Sequence, residues 1–246
     1  MPGVGFDVVP TDCLATALAA ALPGANELEL AFWSRGGGMS PGTAKTMLEN
    51  LPHGGRVRRA GKIEGVPLTH RVEAIDFPGG RRTAVAIAWG DVSTAFHSTG
   101  IPNITCYTAV PKGQVVALRL LDPIRGVFGW GPVHRRLARW AERHMAVPGE
   151  AAAERSRTEV WGRARDAAGD EVTGTVVVRE GYRFTVEASL CCVERVLAGE
   201  VAPGAWTPGK AFGPELLLSL TTFALDLPAP AEAPSGERPA LEVAGV

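Results

Sequence analysis

The sequence predicts an α+β domain in which a mixed, largely antiparallel sheet is covered by helices. Three observations carry that expectation. An Ala-rich helix over Thr11–Leu22 is followed directly by "ELELAFWS", Glu27–Ser34, which alternates and then turns apolar as a strand does. The stretch "RTEVWGRARDAAGDEVTGTVVVREG" reads as one long hairpin turning at Ala167–Asp170. The overall order is a leading helix, strands mixed with helices, and closing helices.

Each element has a local reason. Pro10 suits the entry of the first helix, Thr11 or Asp12 is placed to cap it, and Pro23-Gly24 ends it. Ahead of it, the opening stretch resembles the end of a buried strand and a glycine-bearing turn. After the first strand, Ser40 is an N-cap and Pro41 a first helical residue, with Gly54-Gly55 beyond the helix end. Gly55–Ala60, Val66–Phe77 and Arg82–Trp89 are strands, the last two joined by a turn at Pro78-Gly79-Gly80. A short helix covers Asp91–His97, and Asn103–Val110 alternates as a strand. Val115–Met145 mixes apolar and basic residues. Within it Val133, Leu137, Trp140 and Ala141 share one helical face, and Arg135, Arg136, Arg139 and Arg143 lie on the other side. Tyr182–Leu197 is a helix ended by Gly199. "TPGKAFGPELLLSL" is a loop leading into a final short helix. From Pro228 onward Pro, Ala, Glu and Gly dominate, and disorder is expected.

Composition narrows the function classes. The chain has 246 residues, 46% apolar and 21% charged, with a formal net charge of -1. That balance does not mark a nucleic-acid binder. Four cysteines show no CxxC and no paired spacing, so a reduced, cytoplasmic protein is expected. The start reads as lacking a signal peptide. No apolar run reaches the roughly 18–20 residues of a spanning helix. Five scattered histidines offer no metal-ligand cluster, so no metal is expected.

Gly3-x-Gly5-x-x-Val8 departs from the dinucleotide fingerprint by lacking its third glycine. As the close of a nucleotide-binding sheet it would still border the crevice at the strand ends. The glycine-rich turn before Ser40 delivers a helix N-terminus that either holds a carboxylate or phosphate or simply starts a helix. Asp91 either caps its helix or stands with Ser93 and Thr94 at the rim of a substrate pocket. The basic stripe on Val133–Met145 either faces solvent or touches a membrane surface weakly.

Four blocks, "GVGFDVVPTDCLA", "GGGMSPGTAKTMLE", "WGDVSTAFHSTGIPNIT" and "AFGPELLLSL", resemble in order the rear portion of saccharopine dehydrogenase-like oxidoreductases, in the branch with the trans-acting enoyl reductases. The resemblance runs from Gly3 to about Leu220. Gly5, Phe6 and Asp7 match the family's junction, while Val8-Val9 stand where it has Pro-Gly. It implies a remnant of the nucleotide-binding domain over 1–24, a substrate and dimerisation domain over 25–205, a closing helix over 206–227 and a tail over 228–246. It implies NAD(P) as cofactor, with Gly5 and Phe6 at the cofactor side and the site incomplete without the family's leading GxGxxG segment. The candidate catalytic residues are Asp7, Asp12 and Asp91. Thr11, Ser40, Thr43 and Thr94 are the candidate substrate-binding residues. The expected partners are a small-molecule substrate and either a second copy or a chain supplying the nucleotide-binding half. The other reading is a non-catalytic ligand-binding or dimerisation module that kept the fold.

Overall fold

A computed structural model describes residues 1–36, 38–146 and 149–231. In chain order the elements are α1 (Val9–Ala21), β1 (Ala25–Arg35), α2 (Pro41–Asn50), β2 (Gly55–Arg59), β3 (Lys62–Val66), β4 (Val72–Phe77) and β5 (Gly80–Ile87). They continue with α3 (Asp91–Thr99), β6 (Asn103–Ala109), α4 (Lys112–Leu121), α5 (Gly131–His144), α6 (Glu150–Arg155), β7 (Arg157–Asp166), β8 (Glu171–Arg179), α7 (Gly181–Leu197), α8 (Pro208–Phe212) and β9 (Thr222–Asp226).

Among the described residues nine strands form one sheet in the order β3-β2-β6-β1-β7-β8-β9, with β5 on the far half of β6 and β4 beyond it. β1 and β6 are parallel, and every other pairing is antiparallel. The expected fold class therefore holds. The parallel pair is possible because β1 and β6 are separated by two helices and two hairpins, β2–β3 and β4–β5, which supply the crossover that parallel strands need.

Strand alternation sorts β1 to two faces. Leu28 and Leu30 point into the main core with Val9, Leu14 and Leu18 of α1, Ile104 and Cys106 of β6, Val176 and Val178 of β8, and Phe184 of α7. Ala31 and Trp33 point the other way, into a smaller cluster with Ile75, Phe77, Ala84, Ala86 and Tyr107. The β4–β5 hairpin thus curls over the second face, and the Gly79 N–H donates to Glu159 Oε2 on β7 at 2.6 Å. α1 lies close against the sheet because Gly162 and Gly174 face each other across β7 and β8. A methyl group on Gly162 would come 2.7 Å from Leu18 Cδ1, and one on Gly174 would come 2.9 Å from Leu14 Cδ1.

Several expectations are corrected. Neither Thr11 nor Asp12 caps α1: its N-cap is Val8, without a side-chain bond, and Thr11 and Asp12 are already inside the first turn and buried. Residues ahead of α1 make a turn, not a remnant strand, because Gly3 is left-handed at φ 69° and Phe6 tucks edge-on against Phe32 and Phe184. The run 55–77 holds three strands, since the chain reverses at Ala60-Gly61, both at positive φ, to make β3. Val115–Met145 is divided into α4 and α5 by a 3-10 stretch, Asp122–Gly129. β9, unforeseen, follows the closing helical turns and pairs with β8. Of the expected tail, 228–231 has no regular structure and is tied to α1 where Ala231 N–H donates to Ala20 O, and 232–246 lies outside the described residues.

Candidate functional site

The first turns of α1 lie along α3 and against α8, and three of the sequence-predicted residues, Thr11, Asp12 and Asp91, meet there, with Thr94 and Asp7 at the edge. Asp91 opens α3 and is completely buried. Its Oδ2 lies 2.8 Å from Thr11 Oγ1, a hydroxyl that also reaches Val8 O at 3.0 Å. Asp12, one turn into α1 and equally buried, accepts from Gly209 N–H at 2.7 Å and from the Ser98 hydroxyl. Ser98 in turn lies 2.6 Å from Thr207 Oγ1. The approach of α8 requires glycine at 209, where a Cβ would sit 2.6 Å from Asp12 O. Half-exposed Thr94 turns its hydroxyl back to Gly90 O at 3.3 Å, and Asp7 stands at the outer edge, its carbonyl against Gly90.

Two carboxylates in one apolar core repel ionisation. Burial pushes Asp91 well above the usual carboxylate range. The Thr11 hydrogen bond works against that shift, and the neighbouring Asp12 charge adds to it. Burial also raises Asp12, against the lowering effect of its Ser98, Gly209 and Thr207 donors. Partial burial raises Asp7. Among the described residues, Asp91 Oδ1 and Trp89 Nε1 are buried without a hydrogen-bond partner. The arrangement can hold a proton on Asp91, beside the Thr11 hydroxyl.

The raised Asp91 carries a pH consequence. A carboxyl whose folded pKa exceeds its unfolded value contributes stability that is fully present below the unfolded pKa, near 3.8, and is lost as pH rises through the folded one. Stability is therefore expected to fall with rising pH from about pH 4 upward, by at most about 1.4 kcal/mol per pH unit from this group. Asp91→Asn should remove most of that slope. Urea midpoints compared between pH 5 and 8 check it, and equal slopes in both proteins would disprove the assignment.

Gly5 and Phe6 do not form a phosphate cradle. Gly5 O accepts from Val8 N–H at 3.2 Å and Val9 N–H at 2.9 Å, and Phe6 N–H donates to Thr185 Oγ1 at 3.0 Å. A Cβ on Gly5 would meet Thr185 Cγ2 at 2.8 Å. This turn closes on its own protein, so the described residues do not fit a bound pyrophosphate here.

Ser40 and Thr43 form a second group. Ser40 Oγ caps α2 by accepting from Thr43 N–H at 3.1 Å, as its position predicted. Tyr182, at the start of α7, joins them: its hydroxyl accepts from Ser40 N–H and lies against Thr43 Oγ1, both at 2.8 Å. Among the described residues no hydrogen bond links this group to the Asp12–Asp91 group. Gly37, in the turn before it, lies outside the described residues.

The second face of the sheet holds a polar cluster that sequence reading missed. Glu29, almost buried, accepts from Tyr107 Oη at 2.9 Å and from Arg163 Nε at 3.0 Å, and pairs with Arg71 at 3.1 Å. Burial and the Glu29 charge raise the Tyr107 phenol. Arg71, Arg59 and His70 border a neighbouring cavity of about 260 Å³. Burial, then the Arg59 and Arg71 charges, hold His70 below its ordinary value. The strand parity of Glu29 against Leu28 and Leu30 was the signal available for it. All four cysteines are free thiols, and no cluster of three metal-ligating side chains occurs among the described residues. No described helix is long and apolar enough to cross a membrane.

No family model matches the chain, and no curated protein does. Among solved structures it is similar to apo histidine-tagged saccharopine dehydrogenase (L-Glu forming) from Saccharomyces cerevisiae. The identity is 12% and the TM-score 0.47, over 85% of this chain and 67% of that one.

Proposed function

We propose that this chain is the substrate-binding portion of an NAD(P)-dependent oxidoreductase of the saccharopine dehydrogenase-like kind, acting on a small or lipid-like substrate. One observation carries the reading. Two sequence blocks that lie some 80 residues apart and resemble that family meet at two buried carboxylates, through Thr11–Asp91 and Ser98–Asp12. A protein that needed only stability would gain little from two buried acids, one of them with an Oδ1 that has no hydrogen-bond partner among the described residues. A positioned acid with a raised pKa suits proton delivery beside a hydride transfer. In this reading Asp91 holds the proton, the Asp12 charge strengthens that hold, Asp7 and Thr94 stand at the rim, and the Ser40–Thr43–Tyr182 hydroxyls orient substrate. The hydride itself is the nucleotide's chemistry, and nucleotide is held by another segment or a second chain.

The experiment is ligand screening by thermal shift, with small carbonyl acids, imines and acyl thioesters, alongside an NADPH titration followed by tryptophan fluorescence. A stabilising ligand is expected from one of these classes. Its effect should be lost in Asp91→Asn, and NADPH alone should give no saturable response. Saturable NADPH binding by this chain would overturn the division of roles. A ligand insensitive to Asp91→Asn, or none at all, would favour the non-catalytic module instead.

A further inference from the structure

The segment from Lys112 to Met145 carries seven Lys or Arg and two Asp or Glu, a surplus of five positive charges in a chain of net charge -1. It also bears much of the exposed apolar surface. Val116, Leu120, Ile124, Val127 and Trp130 are 50–73% exposed and follow one another along α4 and the 3-10 stretch into α5. Trp140 on α5 is half-exposed as well. Among the described residues, Lys112, Arg119, Arg135, Arg136, Arg139 and Arg143 form no ion pair, although Lys45 pairs with Glu142 and Arg125 with Asp122. The excursion is anchored from below. Gly129 abuts Pro52, and Asp122 Oδ1 accepts from Leu68 N–H at 2.9 Å, so its outward side chains sit on a fixed base.

We propose that α4, the 3-10 stretch and α5 form a docking surface for an anionic lipid bilayer, with the 116–130 apolar row entering the headgroup boundary and the α5 arginines resting on acidic headgroups. Aliphatic side chains ending in a tryptophan beside unpaired arginines are the composition of an interfacial helix. Charge decides against the other occupants. A second copy docking through the same face would bring two surpluses of like charge together, and only a strongly acidic protein would match this one. A bilayer with anionic lipid supplies that charge over a broad surface at about 1 kcal/mol per basic residue. α7 serves as an internal contrast. Its exposed row Val186, Leu190, Val193 and Leu197 is flanked by both Glu187 and Arg183, Glu194 and Arg195, with no surplus to attract a membrane. The proposal does not depend on the oxidoreductase reading.

The test is flotation of the purified chain with phosphatidylcholine vesicles, with and without phosphatidylserine. Co-flotation is expected only with phosphatidylserine and should weaken as salt is added. Arg135→Glu/Arg136→Glu/Arg139→Glu, all at exposed positions, should lower vesicle partitioning by about a hundredfold or more while leaving thermal unfolding unchanged. Leu120→Asp/Val127→Asp should also abolish it, and Leu190→Asp on α7 should not. Four outcomes would overturn the proposal: no flotation with either vesicle, equal flotation with both, retention by the charge-reversed variant, or loss caused by Leu190→Asp. Concentration-dependent self-association that Leu120→Asp/Val127→Asp breaks in the absence of vesicles would assign the surface to a protein contact and overturn it as well.

Discussion

Asp12→Ala is expected to destabilise the protein by about 2–3 kcal/mol, because the buried Gly209 amide loses its acceptor, at about 1–3 kcal/mol, and the part-buried Ser98 hydroxyl loses one of its partners. Among the described residues Gly209 N–H donates to Asp12 Oδ2 alone, from within the five-residue α8. The Ser98 hydroxyl retains Thr94 O at 3.1 Å and Thr207 Oγ1, so it suffers less. The two effects can be separated. Removing the Asp12 charge relieves Asp91, whose pKa should fall, and the decline of stability with pH should become shallower in Asp12→Ala than in the parent. Urea unfolding at pH 5 and pH 8 reads both. A loss below about 1 kcal/mol would mean that α8 is held by its apolar contacts alone.

Leu14→Ala is the second large effect, at about 3–5 kcal/mol. Leu14 is fully buried and sits in the notch that Gly162 and Gly174 leave in the sheet. The notch has rigid walls. Its floor is paired β-backbone, and Asp226 O of β9 stands 3.0 Å from where a Gly174 Cβ would be. Surroundings of that kind collapse little around a truncated side chain, which places the cost toward the upper part of the range. Guanidinium unfolding with an unchanged m-value would confirm it. The complementary change, Gly174→Val, should also destabilise, by overpacking instead of cavity formation. If Leu14→Ala cost no more than an exposed substitution, α1 would not be the element that closes the main core.

Much of this was legible locally. Ser40 and Pro41 mark the start of α2 because a cap and a fixed φ are properties of adjacent residues. The β7–β8 hairpin showed itself through alternation and a turn rich in Asp and Gly, and its turn closes with Asp166 Oδ1 accepting from the Ala168 and Asp170 amides. β3 was harder to see, since its reversal puts Ala60 at φ 45°, a conformation that an alanine does not advertise. β9 was missed because a five-residue edge strand carries almost no period of its own.

The candidate site divides in the same way. Asp7, Thr11, Asp12, Asp91 and Thr94 were selectable as polar residues at helix starts. Their neighbours Ser98, Thr207 and Gly209 were not, since nothing local ties positions some 80 to 200 residues apart. Tyr182 beside Ser40 and Thr43, and Glu29 beneath Tyr107 and two arginines, belong to the same class. By itself the sequence determined most of the helices and strands, which face of each is apolar, and which short polar residues sit at helix entrances, because these depend on neighbours within a turn or two. Only the tertiary structure decided that two acids would share one buried site, that Gly5 would face Thr185 and not a ligand, and that two glycines on paired strands would let α1 approach the sheet. Those outcomes depend on desolvation and on distances between remote segments, and both come into being only when the core closes.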